Sequence, residues 1–399
     1  MGVADEVRNL IERVPLVDHH VHGAFRHDGP RARLENALNE ASTDPLPDWM
    51  APFDTQLGFA VRRWCAPLLD LPKHAQPDAY WARRNDLGET EVTRRFLSAA
   101  GVSTWIVDTG FGGDEILGLA DITALSGGVP SREIVRLETI AEALVVASAG
   151  AADFPERYRA ALAARVAAHG AIPGATPGAV GVKSVIAYRA GFDIDWSRPT
   201  DAAVQRAADG WHAAWHAASA VSASGQASPR LVDPTLLAFI IYTAVEQSLP
   251  LQLHVGFGDR DLDLHRTNPL LLLDFLRMPQ VQRVPVFLLH CYPFEREAGY
   301  LAQAFANVYL DIGLALNYLG AASTSLVARS FEMAPFSKIL YSSDAWGPAE
   351  LHYLGARLWR NAMQKVVGDW VEDDQWSAPD ALRVVEAVTT GNARRAYGL

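Results

Sequence analysis

Short apolar, β-branched runs alternate along the chain with longer stretches of helical periodicity. The runs are Leu16–His22, Ser103–Asp108, Ile134–Glu138, Val180–Ala187, Leu251–His254, Val284–His290, Asn307–Ile312 and Ile339–Ser343. Stretches such as Pro155–Ala168, Pro234–Gln247 and Pro269–Arg277 read as helices between them. Strands alternating with helices are the pattern of a parallel α/β fold. Eight such units predict an α/β chain folded as a distorted (β/α)8 TIM barrel. A doubly wound sheet would carry a glycine-rich phosphate loop after its first strand. Here the first strand ends in histidines instead.

Two stretches break the repeat. Residues 23–101 are far too many for a βα connection. They hold helical patterns at Phe59–Leu71 and Glu91–Ala100, joined by proline-containing turns. We expect a helical insertion over the barrel mouth, within one barrel domain spanning 1–399. Thr200–Ser228 is alanine-rich, with Trp211, His212, Trp215 and His216 at helical spacing. It runs into SASGQASP, which reads as a mobile loop. There is no internal repeat.

Composition narrows the function classes. The chain has 399 residues, 49% hydrophobic and 20% charged, so it can bury a large core. Its formal net charge of −11 argues against a nucleic-acid or anionic-membrane surface. The longest apolar runs, such as Leu236–Tyr242, are too short to span a bilayer, which takes about 20 residues. The first residues, MGVADEVRNLIERV, form no apolar signal core. The two cysteines, Cys65 and Cys291, form no CxxC, which fits a cytoplasmic protein without thiolate metal sites. GFGGDE, at 110–115, is not a GxGxxG fingerprint in a βαβ context, so a nucleotide-binding reading is set aside.

The chemistry lies in where the histidines fall. In barrel enzymes the C-terminal edge of the strands carries the active site. VDHHVH ends the first strand, and alternation puts His20 and His22 on one side with Asp18, leaving His19 facing the helices. His254 follows the fifth strand, His290 the sixth and Asp344 the eighth. Singly, each has a bland explanation as a packed histidine or a turn-capping aspartate. Together they make a set suited to Zn²⁺, Mn²⁺ or Fe²⁺ rather than to Ca²⁺ or Mg²⁺.

The chain resembles the metal-dependent amidohydrolase superfamily. More narrowly it is similar to the branch fused to glutamine-synthetase-like domains in some fungal and plant proteins. The likeness runs from VDHHVH through RRNDLG, GVKSVIAYRAGFDI, LQLHVGFGDRDLDLHRTNPLLL, VFLLHCYPFEREAGYLAQAFANVYLDIGL and ILYSSDAWGPAELHYLGARLWR to GNARRAYGL. No glutamine-synthetase-like part is expected in a chain whose last residue is Leu399.

The resemblance implies one or two divalent ions, Zn first and Mn or Fe next. It makes His20, His22, His254 and Asp344 ligands. His290 becomes a second-metal ligand, or a residue acting on substrate where one metal is bound. Lys183 is either a carboxylated bridge between two metals or a buried lysine lining the pocket. If its strand continues to Arg189, it sits too deep to bridge. A metal-activated water would attack a small-molecule amide, with Asp344 taking the proton. The substrate suggested by the fusion partner is a γ-glutamyl or related nitrogen compound.

Several further residues are candidates. Arg189 could hold a substrate carboxylate or close a salt bridge. Tyr188, Glu138 and Trp346 are further substrate contacts, although Glu138 could equally pair with Lys183 or Arg136. Asp259, Arg260 and Asp263 could shape the pocket, and Arg62, Arg63, Arg83 and Arg84 could reach it from the insertion. Asp18 is a candidate partner for a ligating imidazole. Two other functions stay open: a one-metal decarboxylase or isomerase of a small carboxylic acid, and a non-catalytic binding barrel. A homodimer is the default assembly.

Overall fold

The computed structural model describes residues 2–42, 44–47, 49–147, 150–167, 178–221 and 229–399. The SASGQASP run lies outside the described residues except for its last proline. Seven parallel strands follow one another in chain order: β1 (Leu16–Val21), β2 (Val102–Asp108), β3 (Ser131–Arg136), β4 (Gly181–Ser184), β5 (Leu251–Val255), β6 (Val286–His290) and β7 (Val308–Leu310). Every neighbouring pair is parallel, as strand–helix alternation requires.

The eighth strand expected at Ile339–Ser343 is not a regular one. Its ladder is reduced to a bridge between Leu310 and Ile339. Residues 339–345 nevertheless close the barrel. Leu340 N donates to Leu310 O of β7 at 3.0 Å, while His19 N donates to Tyr341 O at 3.2 Å and His22 N to Ala345 O at 2.9 Å. Side chains take over part of the ladder: Ser343 N donates to the Asp18 carboxylate at 3.0 Å, and Ser342 Oγ to Asp311 Oδ1 at 2.7 Å. A segment whose amides bond to carboxylates cannot also complete a regular strand pair.

Two other boundaries shift. β3 ends at Arg136, and Glu138 sits in the first turn of the helix Leu137–Val146. From there its buried Oε1 accepts from Ser184 Oγ at 2.6 Å and Val185 N at 2.9 Å. That capture ends β4 at Ser184, and a 3-10 turn, Ile186–Tyr188, follows. The strand expected to run to Ala187 is therefore short.

The barrel interior is packed, as such barrels require. Val17, Ile106, Ile134, Phe287, Leu289 and Leu340 meet there. The last helix, Asn392–Tyr397, closes this layer with Tyr397 stacked on Phe287, 4.5 Å between rings. Between β1 and β2 lie Arg31–Ala37, Gln56–Ala60, a π turn at Val61–Cys65, a 3-10 turn at Ala66–Leu69, Pro77–Leu87 and Glu89–Ala99. Buried Arg84 binds Glu89 at 2.8 Å and Glu350 at 2.7 Å, and Tyr80 adds a hydrogen bond to Glu350 at 3.0 Å. Glu350 belongs to the long helix Ala349–Glu372, so this ion cluster pins the added helices to the barrel. Among the described residues, no helix is long and apolar enough to cross a membrane.

Candidate metal centre

β1 is buried along its whole length and delivers two imidazoles to the strand ends. His20 Nε2 lies 3.0 Å and His22 Nε2 3.5 Å from Asp344 Oδ1, and His290 Nε2 lies 3.3 Å from Asp344 Oδ2. His20, His290 and Asp344 could hold one ion, and so could His20, His22 and Asp108; within each group the ligand atoms lie within 4.8 Å of one another. Asp108 is already engaged. Its Oδ2 takes Arg136 Nη2 at 2.6 Å, and its Oδ1 takes Gly110 N at 2.9 Å. The first group is the freer of the two. His290 and Asp344 both adopt left-handed backbone, at φ 69° and 48°. Non-glycine residues rarely do so, and such outliers cluster where side chains are aimed at a site.

Protonation fits a cation. Burial, with the Lys183 charge adding to it, pushes His20 down to about 3. Burial pushes His290 down to about 4. Both imidazoles are then neutral near pH 7, the form that binds metal. Asp344 Oδ1 and both ring nitrogens of His290 have no hydrogen-bond partner although buried. Buried polar atoms left unpaired beside one another are costly. A divalent ion bound to these lone pairs would satisfy them.

Lys183 reaches the site after all. Because β4 ends one residue later, its Nζ stands 3.0 Å from His20 Nε2 and borders the cavity. Burial lowers its pKa, against the pull of Asp344 and Asp108. His254 borders the same cavity with its ring 4.6 Å from that of His290, but its Nε2 lies 3.1 Å from Phe257 O. It stands beside the two ligand groups rather than within either.

Two expectations about β1 change. His19 does not face the helices. Its ring lies 5.6 Å from Phe287, with its nitrogens 3.0 Å from Tyr397 Oη and 3.0 Å from Asp311 Oδ2. A register shift between Asp18 and Val21 breaks the strict alternation assumed from the sequence. Asp18 does not support the ligand imidazoles either, since it binds the Ser343 amide. His20 Nδ1 instead meets Gln252 Oε1 at 2.8 Å, and His22 Nδ1 meets Asp108 O at 3.1 Å.

Above these groups opens a cavity of about 820 Å³. Tyr188, Arg189, Asp259 and Trp346 border it; Glu138, Arg260 and Asp263 do not. Arg189 also pairs with Glu142 at 3.3 Å. None of Arg62, Arg63, Arg83 and Arg84 lines it. Arg62 and Arg83 bind backbone carbonyls of their own segment, Arg63 lies over Trp64, and Arg84 is in the buried ion cluster. The insertion contributes Arg33 and Glu40 instead. Glu40 Oε2 accepts from Trp346 Nε1 and Tyr318 Oη, each at 3.1 Å, and burial raises its pKa to about 7.

Sequence reasoning missed Glu40, Asp108, Arg136 and Gln252 as site residues. The strand-end rule that found His254 and His290 also applies to Asp108, the last residue of β2. Glu40 carried no such signal.

A closed parallel barrel with imidazoles and a carboxylate at its strand ends is the architecture of metal-dependent hydrolases. Residues 143–399 match the sequence model of the Amidohydrolase family, and the chain belongs to that family. Protein fluG of Emericella nidulans is 32% identical over 231 residues, covering 55% of this chain. The chain spans only 26% of the length of that curated relative. A crystal structure titled "putative metal-dependent hydrolase", from Lactobacillus casei, superposes with a TM-score of 0.81 at 26% identity, covering 98% of this chain and 97% of that one. A uronate isomerase from Bacillus halodurans shares the fold, with a TM-score of 0.62 at 13% identity over 99% of this chain and 96% of that one.

Proposed function

We propose that the chain hydrolyses an amide-type C–N bond of a small molecule, using one or two divalent ions, Zn first and Mn or Fe next. The observation that carries this reading is the group formed by His20, His22 and His290 around the Asp344 carboxylate, with Lys183 beside it at the floor of the cavity. His20, His22, His290 and Asp344 would hold the metal, and Lys183, once carboxylated, would complete a second position with His254. A divalent ion supplies Lewis acidity and brings the pKa of water toward neutrality. Asp344 accepts the water proton and passes it to the leaving nitrogen.

The walls support a substrate with both signs of charge. Arg136 and Arg189 offer guanidinium groups for a carboxylate, while Glu40 and Asp259 suit an amine. A γ-glutamyl amide carries both. The test is elemental analysis of protein purified without chelator or affinity metal, followed by a screen of γ-glutamyl amides and lactams. About two ions per chain with release of amine or ammonia supports the reading. No ion after incubation with Zn²⁺ and Mn²⁺ overturns it.

The arginines also favour a second reading, a one-metal decarboxylase or isomerase of a small carboxylic acid. One ion per chain, with turnover of uronates or aromatic acids and none of amides, would select it.

A further inference from the structure

We infer that Gln252 and Tyr397 are positioning residues that fix the tautomer of His20 and so set the metal affinity of the site. The inference rests on the proposed role of His20 as a ligand. It follows from donors and acceptors that permit only one arrangement.

Gln252, buried on β5, places its Nε2 2.9 Å from His19 O and 2.8 Å from Tyr397 Oη. A backbone carbonyl only accepts, so the atom facing it must be the amide NH2. The Gln252 oxygen is then the atom 2.8 Å from His20 Nδ1. His20 must therefore carry its proton on Nδ1, which leaves the Nε2 lone pair to accept from Lys183 Nζ, 3.0 Å away, or to bind a cation shared with Asp344, also 3.0 Å away. Tyr397 fits the same direction. Its oxygen accepts from Gln252, so its hydroxyl proton goes to His19 Nδ1 at 3.0 Å. His19 Nε2–H then donates to Asp311 Oδ2 at 3.0 Å. The other Asp311 oxygen accepts the backbone N–H of His290 at 3.0 Å.

One buried chain thus joins Asp311, His19, Tyr397, Gln252 and His20, and its two ends brace two proposed ligands. Ligating imidazoles generally need such a partner for the nitrogen that does not bind metal. Here the partner is a neutral amide, oriented by a hydroxyl from the last helix. This gives His19 and Tyr397 a task that neither proximity to metal nor core packing explains.

The test measures Zn²⁺ affinity by chelator competition on full-length metal-stripped protein, beside its melting temperature. Gln252→Leu keeps bulk but cannot accept from His20, and its Kd should rise about 10- to 100-fold. Tyr397→Phe keeps the ring on Phe287 but drops the hydroxyl, and its Kd should rise less. Phe287→Leu serves as the packing control, lowering the melting temperature with little change in Kd. ¹⁵N shifts of the apo protein should show His20 with a protonated Nδ1 in the parent and a mixture in Gln252→Leu. Unchanged Kd in both Gln252→Leu and Tyr397→Phe overturns the inference while leaving the proposed function standing. A parent protein that binds no Zn²⁺ overturns both.

Discussion

β1 and the helices between β1 and β2 face the same cavity and are held by opposite means. β1 is fully buried, bonded on one side to β2 and on the other to residues 339–345. His20 on it and His22 just past its end each have Nδ1 facing an acceptor, Gln252 Oε1 and Asp108 O. The added helices sit on the barrel through a buried ion cluster, Arg84 with Glu89 and Glu350. They send Arg33 and Glu40 toward the cavity, and Glu40 keeps one oxygen without a hydrogen-bond partner among the described residues. On the proposed reading, the metal-binding histidines sit on and beside a buried strand, while the added segment supplies part of the cavity wall. Sites on regular elements are more exact than sites on added segments.

Four perturbations sharpen or break this comparison. The largest effect is expected from His20→Ala or His22→Ala. Either should empty the site by elemental analysis and remove measurable turnover, while the melting temperature of the apo protein changes far less. Asp344→Asn should retain much of the metal yet lose turnover by about 10²- to 10⁴-fold. Full activity in that variant would deny Asp344 its role in proton transfer.

Arg84→Ala tests the other side. It leaves buried Glu350 without its cation and Glu89 with only Arg33, 3.7 Å away, which should cost about 3–5 kcal/mol in urea unfolding. Metal content should stay near the parent value. If the metal were lost as well, the two regions would not be separable.

The smallest effect belongs to Glu40→Gln. The folded-state pKa of Glu40 is raised from 4.5 to about 7, so the fold keeps a proton that the unfolded chain releases between those values. Its contribution to stability therefore falls as pH rises through that window, and the Gln variant should lose less stability from pH 4.5 to 8. KM for an amine-bearing substrate should rise in the parent as pH falls below about 7 and stay flat in Glu40→Gln. A parallel pH profile in both proteins would place the titrating group elsewhere.

The barrel and most of the candidate site were legible because both follow local rules. Parallel strands read as apolar runs, and a histidine at the end of one sits at the barrel mouth. Those rules gathered His20, His22, His290 and Asp344 from three distant segments. They failed where a side chain decided a backbone boundary. Glu138 capturing the Ser184 hydroxyl and Val185 amide shortens β4, and only then does Lys183 enter the site. The same holds at 339–345, where Asp18 and Asp311 replace ladder bonds. The register shift in β1 turned His19 inward against strict alternation. Glu40 was illegible for another reason. Nothing in a polar helix–loop segment marks the one carboxylate that will meet Trp346 and Tyr318, hundreds of residues away.

Closure of the barrel by residues 339–345 and by Tyr397 has a consequence for the order of assembly. β1 precedes in the chain the segments that complete it, and His19 meets Tyr397 across 378 positions of sequence. Contacts so remote carry a large loop-closure entropy and form late. On the ribosome, β1 must wait with an open edge and an incomplete shell until residues 339–345 and Tyr397 have emerged. His20 and His22 are therefore completed only after the segment that holds Asp344 is made, and a nascent chain stalled before residue 339 should hold them without that carboxylate.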